Sequence, residues 1–395
     1  RRSSDLKTGK GNSETGIPLD ILGLQMQSYS FGDWIRVFFL APLHFLFVWK
    51  KYEKYVVEMG IDSPYEPKNM SYLLKIFKPQ SAVFLNAHAV HSENFDNEID
   101  EKDPEKRMEE IVERIAFEKG KLIKSVDKNG FVFVNADDEN VMKIARECEG
   151  EVFTIGSKDA NITYSDLKYD LNGFSCNFEL NYKDNHEVAS LKVKDQVFGE
   201  KYGITFGVAI AVGVTQGISF SDCVNALESY KLPPGRMSLI KGIKNSYIID
   251  SSYNASAQSV LDALEVLSNL GKNRRKIAVL GDMRELGNEA NLEHARVARK
   301  VAEIADEIVL VGPLMKKYVF TEKENLHWFE NSFLAKDFVK DLIKGEEIVL
   351  VKGSQNTIFL ESVVEEIMEE REKADEVLCR RGDYWDRTRK SFWKI

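Results

Sequence analysis

The chain has 395 residues, of which 43% are hydrophobic and 30% are charged, and its net charge is −9. This apolar content excludes an intrinsically disordered protein, and at roughly 150 residues per domain the length predicts two or three domains. The acidic balance argues against a general nucleic-acid-binding protein, which would carry a basic face. The four cysteines are far apart in the sequence, which excludes a CxxC zinc or redox pair and fits a reducing compartment.

An apolar stretch at 37–49 is interrupted only by His44. It is too short to span a membrane, because a spanning helix needs about 20 residues. Two interpretations stay open for it. It is either a buried segment or partner-facing loop, or an interfacial membrane contact with Trp34 and Trp49 as anchors.

The first part of the chain alternates between short β-rich runs and helical stretches. We predict strands at 55–57, 82–85 and 131–134, and a long helix within 97–124. Residues 151–200 predict short antiparallel strands with polar turns, and 203–230 predicts helix. Pro233-Pro234-Gly235 then interrupts the pattern, so we end the first domain at residue 230.

The second part repeats strand and helix regularly. Strands are predicted at 247–252, 276–281, 307–312 and 347–352, and helices near 257–270, 288–305, 333–344 and 357–372. Continuous Ile/Val/Leu strands followed by amphipathic helices indicate a parallel sheet covered on both faces. We therefore predict an α/β protein with domains at 1–230 and 231–372, followed by a charged aromatic tail at 373–395.

Polar residues follow several of the predicted strands. They are Glu58, the run 86–91, the run 250–254 and Asp282. The carboxyl ends of strands line the ligand crevice in open parallel sheets, so these positions predict a binding site.

Taken in order, these strand ends belong to a longer series of motifs. The series is KTGKGNSETGIPL (7–19), VVEMG (56–60), NAHAVHSENF (86–95), EKGKL (118–122), VNADD (134–138), LPPGRM (232–237), IIDSSYNASAQSV (248–260), VLGDMRELG (279–287) and LVKGS (350–354). The series resembles the Mur ligase family, in particular the MurF type that adds D-alanyl-D-alanine to UDP-N-acetylmuramoyl-tripeptide. The stretches DSSYNAS and LGDMRELG are specific to this branch.

The resemblance implies a fold, an activity and partners. The fold is an incomplete P-loop ATPase-type central domain followed by a Rossmann-like C-terminal domain. The activity is ATP-dependent ligation in peptidoglycan precursor synthesis, which joins D-Ala-D-Ala to UDP-MurNAc-tripeptide through an acyl phosphate. ATP and Mg²⁺ are required. We expect a cytoplasmic monomer with no nucleic-acid partner.

The resemblance also implies roles for individual residues. Glu58 and His91 hold Mg²⁺, and Lys119, carbamylated by CO₂, helps to hold a second Mg²⁺ near the acyl phosphate. Arg236 reaches the ATP phosphates, a role that suits a bidentate guanidinium. Asn135 contacts adenine, and Asp250, Tyr253 and Asn254 face the nucleotide. Asp282 lies near the site or caps the helix that follows it.

The chain departs from the family pattern at several positions. Lys121 stands where the family commonly has a glutamate, and Ser251 where it has the second of two adjacent acids. Gln355 stands where the family has an arginine, and Lys201-Tyr202 where it has a His-Asn pair. The phosphate loop GxxGKT/S is expected upstream, because Thr8–Ser13 lacks both the preceding strand and the Lys-Ser/Thr pair.

From these departures we expect an N-terminally truncated ligase that lacks the UDP-binding domain and is inactive alone. The alternative is a non-catalytic nucleotide-sensing or scaffold protein that docks through 37–49 and the basic tail 380–394.

Overall fold

The fold is seen in a computed structural model, which describes residues 6–9, 11–26, 30–47, 52–88, 92–284, 286–354 and 357–393. These residues form one two-stranded sheet and two six-stranded sheets. In the described residues the two large sheets share no strand. The α/β class is confirmed.

The N-terminal part surrounds the small sheet. Its elements are β1 (Leu6–Thr8), α1 (Gly16–Ile21), α2 (Phe31–Phe47), β2 (Lys54–Val56) and α3 (Met70–Ile76). Strands β1 and β2 pair in parallel, with Leu6 opposite Lys54. Ile17 of α1 packs with Met70 and Leu73 of α3 in one buried cluster, and Val57, directly after β2, packs against it.

The first large sheet has the order β3-β4-β5-β6-β7-β8. Its elements are β3 (Ala82–Phe84), α4 (Pro104–Lys124), β4 (Phe131–Asn135), α5 (Glu139–Ala145), β5 (Glu151–Gly156), β6 (Ile162–Asp170), β7 (Gly173–Tyr182), β8 (Asn185–Lys194), α6 (Tyr202–Thr215) and α7 (Phe220–Leu227). Strands β6 to β8 are antiparallel as predicted, but β5 is parallel to both neighbours. The antiparallel prediction for 151–156 is wrong because α5 makes a crossover that returns the chain in the same direction.

The second large sheet has the order β13-β12-β11-β14-β10-β9. Its elements are β9 (Ser238–Lys241), β10 (Tyr247–Ser251), α8 (Ala257–Leu270), β11 (Lys276–Gly281), α9 (Ala290–Ile304), β12 (Glu307–Val311), α10 (Pro313–Tyr318), β13 (Leu326–Phe329), α11 (Ser332–Leu342), β14 (Ile348–Lys352) and α12 (Glu361–Ile367). Only β9 is antiparallel to its neighbour, so the predicted parallel sheet is confirmed.

Alternate residues of these strands point to opposite faces of the sheet. Ile249 and Leu350 pack with helices α8 and α9, whereas Ile248 and Val351 pack with α11 and α12. Each strand is therefore buried on both faces, which is why its sequence is continuously apolar.

The tail is folded onto the second sheet. It contains α13 (Ala374–Val377) and α14 (Asp383–Trp393), and the ring of Phe359 contacts those of Trp385, Phe392 and Trp393. Arg380 and Arg389 are buried. The expectation of a free basic docking surface at 380–394 is therefore wrong for these two arginines.

The described residues 37–47 of the apolar stretch form neither a loop nor a buried segment. Its described residues belong to α2, in which Val37 is buried but most large apolar side chains are exposed. Trp49 lies outside the described residues.

Candidate active site

Glu58 lies just beyond β2 and is held there by the loop 11–16. The backbone N–H of Gly60 donates to the carbonyl of Asn12 at 2.8 Å. A Cβ at Gly11 would overlap the backbone of Gly16, so the tight loop requires glycine. The exposed Glu58 side chain is thereby placed at the carboxyl end of β2.

Lys119 lies on α4 and faces Glu58. Burial lowers the pKa of Lys119, and the Glu58 carboxylate partly counteracts that shift. Two residues that the sequence separates by 61 positions are thus within electrostatic reach of each other. A lysine whose neutral amine is favoured in this way suits reaction with CO₂, because the neutral amine is the nucleophile.

The neighbours of Lys119 account for one departure from the family pattern. Glu118 is buried, and its Oε1 accepts from the backbone N–H of Met70 at 2.9 Å. Its other oxygen pairs with Lys121 at 2.5 Å. Lys121 therefore neutralises a buried carboxylate that ties α4 to α3.

His88 follows β3 and lies between the two halves of the molecule, a position that the sequence reading missed. Burial lowers the pKa of His88; among the charges that act on it are Lys119 and Asp138 from the first half and Asp262 from α8. Its NAHAVH motif was noted in the sequence, but only the second histidine was assigned a role.

The predicted metal ligand His91 lies outside the described residues. Among the residues that the structure describes, no cluster of three or more His, Cys, Asp and Glu side chains could hold a metal ion. Glu58, together with a carbamate on Lys119, would offer the oxygen ligands that Mg²⁺ prefers. The described donors fit Mg²⁺ only in part.

The loops after β3 and β4 are ordered by side-chain hydrogen bonds. Asn135 Oδ1 accepts from the N–H of Asp137 at 3.0 Å. Asp138 caps α5 through the N–H of Val141 at 3.0 Å and also accepts from the N–H of Ala87 at 3.3 Å. The ends of β3 and β4 are therefore joined, and Asn135 stays a predicted adenine contact.

In the second half, Lys352 connects the ends of β10 and β14. Its Nζ donates to Ser251 Oγ at 3.1 Å and to the carbonyl of Asn254 at 3.0 Å. Burial lowers the pKa of Lys352 to about 8, and Asp262 and Arg236 are among the charges that act on it. Lys352 therefore helps to order the predicted nucleotide-facing run 250–254 through Ser251 and Asn254.

Asp250 is fully buried, with Oδ1 accepting from the N–H of Ser252 at 3.0 Å. Its Oδ2 has no hydrogen-bond partner among the described residues. Burial raises the pKa of Asp250 to about 6.

This burial predicts a pH-dependent stability. The folded state holds a proton that the unfolded state releases, so stability is lost as the pH rises from about 4 to about 6. The asparagine of Asp250→Asn cannot ionise. The free energy of unfolding of this variant, relative to that of the wild type, should therefore rise by up to about 3 kcal/mol across that interval. Urea unfolding at a series of pH values measures it, with exposed Asp127→Asn as the control. A difference that is constant with pH would contradict the prediction.

Arg236 stacks on Tyr253. The guanidinium carbon lies 4.3 Å from the ring centroid, and the N–H of Tyr253 donates to the carbonyl of Gly235 at 3.1 Å. Gly235 has φ +74°, which favours glycine at this turn between the two halves. Arg236 is exposed and also acts electrostatically on Tyr202 of α6. It therefore lies between Tyr253 of the second half and Tyr202 of the first.

Arg380 of the tail holds the loop that carries Ser252 and Tyr253 in place. It donates to the carbonyls of Ser252 at 2.7 Å and Tyr253 at 2.9 Å. It also forms an ion pair with the fully buried Glu361 at 2.6 Å. The tail thus positions the ring on which Arg236 stacks, a contact that the sequence reading missed.

Asp282 has a structural role at the start of a helix. It accepts from the backbone N–H of Met315 at 2.9 Å, and a Cβ at Gly312 would clash with it. It caps α10, which follows the next strand, rather than the helix that directly follows Asp282.

The charged groups form one connected series across the cleft. Glu58 acts on Lys119, Lys119 on His88, and both His88 and Lys352 are influenced by Asp262. Glu58 therefore lies near Lys119 in the first half, and Arg236, Tyr253 and Asn254 lie near Lys352 in the second. Such an arrangement of cations and a carboxylate suits a phosphorylated ligand with a metal ion.

Two family profiles match the chain. The Mur ligase middle domain matches residues 41–202, and the Mur ligase glutamate ligase domain matches residues 235–355. The second match begins at Gly235, close to the predicted domain boundary.

Curated relatives and solved structures agree with these matches. The UDP-N-acetylmuramoyl-tripeptide–D-alanyl-D-alanine ligase of Escherichia coli is 24% identical over 83% of this chain and 68% of the relative, and that of Bacillus subtilis is 24% identical over 88% and 72%. The crystal structure of MurF ligase from Thermotoga maritima in complex with ADP superposes with a TM-score of 0.71 at 22% identity, covering 93% of this chain and 74% of that one.

Proposed function

The chain belongs to the Mur ligase family, and on that premise we propose that it forms the ATP- and Mg²⁺-binding part of a ligase that joins D-Ala-D-Ala to UDP-MurNAc-tripeptide. The observation that carries the proposal is the series of charged side chains that crosses the cleft from Glu58 to Arg236. The series joins a carboxylate and a carbamylation candidate in one half to two cations in the other.

In this proposal the cleft carries two successive steps. The terminal carboxylate of the tripeptide attacks the γ-phosphorus of ATP, and ADP leaves. The amine of D-Ala-D-Ala then attacks the acyl carbon, a C–N bond forms, and phosphate leaves. Mg²⁺, when bound, neutralises phosphate charge.

The residues of this chain bind and orient the reactants. Arg236 and Lys352 supply positive charge to the phosphates. Glu58 and His91 would hold Mg²⁺, and carbamylated Lys119 would help to hold a second Mg²⁺ near the acyl phosphate. Asn135 reads the adenine, and the run 250–254 lines the nucleotide. Closure of the two halves brings Arg236 to the phosphates.

We further propose a monomer that acts in the cytoplasm without a nucleic-acid partner. Four free cysteines support a reducing compartment. No helix in the described part of the chain combines the length and apolarity needed to cross a bilayer.

The proposal is tested by assaying ligation in a protein that contains this chain and an N-terminal phosphate-loop segment. We expect ADP and UDP-MurNAc-pentapeptide to form in equal amounts. ATP binding by calorimetry without any turnover would instead favour the alternative, a non-catalytic nucleotide-sensing or scaffold protein.

Arg236→Ala should raise the KM for ATP about tenfold or more, because a hydrogen bond to a charged phosphate is lost. Arg274→Ala is the matched control, since Arg274 also lies over a tyrosine ring, that of Tyr247, at the opposite end of β10. An unchanged KM for Arg236→Ala, or an equal rise in the control, would rule out the phosphate contact.

A further inference from the structure

Helix α2 exposes a large apolar surface. Six of its side chains are between 60% and 82% exposed. They are Phe31, Phe38, Phe39, Phe45, Leu46 and Phe47. Contiguous apolar surfaces of this kind mark contact sites for membranes or proteins.

The polar residues of α2 point inward instead. Asp33 is only 8% exposed and pairs with Arg36 at 3.2 Å. His44 Nδ1 lies 3.0 Å from the carbonyl oxygen of Leu22. The buried stripe that contains Asp33 and Val37 packs on the protein. This distribution is the reverse of that in an ordinary surface helix, whose polar face meets water.

The outward face is too wide for a groove on a partner protein. A helix that docks into a groove presents a stripe at i, i+3, i+4 and i+7. Here neighbouring pairs such as Phe38-Phe39 and Leu46-Phe47 are both exposed, so the apolar face covers more than half of the circumference. A bilayer surface covers such a face when the helix lies in its plane.

The flanking charges favour an anionic surface. In the sequence, Lys50-Lys51 follow the helix and Arg1-Arg2 open the chain, although the chain as a whole carries −9. Basic flanks beside an apolar helical face complement anionic headgroups.

We propose that α2 lies flat on an anionic lipid bilayer and anchors the protein there reversibly. Its 17 residues make it about 25 Å long, which suits a helix parallel to the surface. The anchor is fixed to the half that carries Glu58, because Leu19 of α1 packs against Val37, and Asp20 of α1 accepts from Tyr55 of β2 at 2.8 Å. The inference goes beyond the ligase activity and does not depend on it.

Vesicle flotation of the full chain tests the anchor. We expect binding to vesicles of phosphatidylglycerol and phosphatidylcholine, much weaker binding to phosphatidylcholine alone, and weakening by salt. Phe38→Glu/Phe39→Glu should reduce the partition coefficient about 100-fold, since each phenylalanine contributes about tenfold or more when buried. The matched control Val188→Glu/Leu334→Glu changes two exposed apolar residues elsewhere and should bind as the wild type does.

Three results would overturn the proposal. They are wild-type protein that does not float, binding that is unchanged in Phe38→Glu/Phe39→Glu, and equal binding to uncharged vesicles. A wild-type dimer in light scattering that this double variant dissociates, without vesicle binding, would assign the face to a second copy of the chain.

Discussion

Replacing Lys119 with alanine should abolish ligation, with kcat falling about 10²–10³-fold or more, while the fold stays intact. The lysine is half-buried and within electrostatic reach of Glu58, so its removal deletes a group beside a proposed Mg²⁺ ligand. Stability should not fall, because burial already disfavours its charged form. Kinetics of a ligase that contains this chain and a phosphate-loop segment measure the first effect, and thermal unfolding measures the second.

Lys124→Ala is the matched control for this experiment. Lys124 lies on the same helix and pairs with the exposed Glu147 at 2.6 Å, so its removal should leave kcat unchanged. In the wild type, a carbamate carbon should appear in the NMR spectrum after labelling with ¹³C-bicarbonate, and Lys119→Ala should lack it. Surviving activity in Lys119→Ala, together with indifference to added bicarbonate, would show that the carbamate role is wrong.

Arg380→Ala should destabilise the fold by about 3–5 kcal/mol, because it leaves the buried Glu361 without its main partner. Glu361 also pairs with Arg389 at 3.3 Å, which compensates only part of this loss. The carbonyls of Ser252 and Tyr253 lose their donor at the same time. Chemical denaturation measures the change, and the affinity for ATP, measured well below the melting temperature, should also fall.

The next residue in the sequence supplies the control. Arg381 pairs with Glu365 at 2.7 Å and Asp375 at 2.8 Å, and the Asp375 side chain is 81% exposed. The Arg381 side chain is only 18% exposed, but solvent reaches both of its carboxylate partners, so Arg381→Ala should destabilise the fold less than Arg380→Ala does and leave the affinity for ATP unchanged. If both variants behaved alike, Arg380 would have no special part in ordering the loop.

The charged residues of the candidate site differ in how well the sequence alone predicts them. Glu58 stands out because a charge directly after a short apolar strand has few structural roles, whereas Arg236 is indicated only by the resemblance of LPPGRM to the family motif. His88 and Asp262 could not be assigned in this way. Their proximity arises only from the tertiary fold, which places Asp262 of α8 within electrostatic range of His88, and no local sequence pattern indicates it.

The sequence by itself determined the parallel sheet of the second half and the polar ends of its strands, because burial on both faces demands continuous apolar runs. Only the tertiary structure decided the direction of β5, the outward orientation of α2 and the burial of Arg380 and Arg389. Periodicity records which residues are apolar or charged. It does not record what they pack against. The apolar side chains of α2 are therefore expected to be buried although most are exposed, and the arginines of the tail are expected to be exposed although Arg380 and Arg389 are buried.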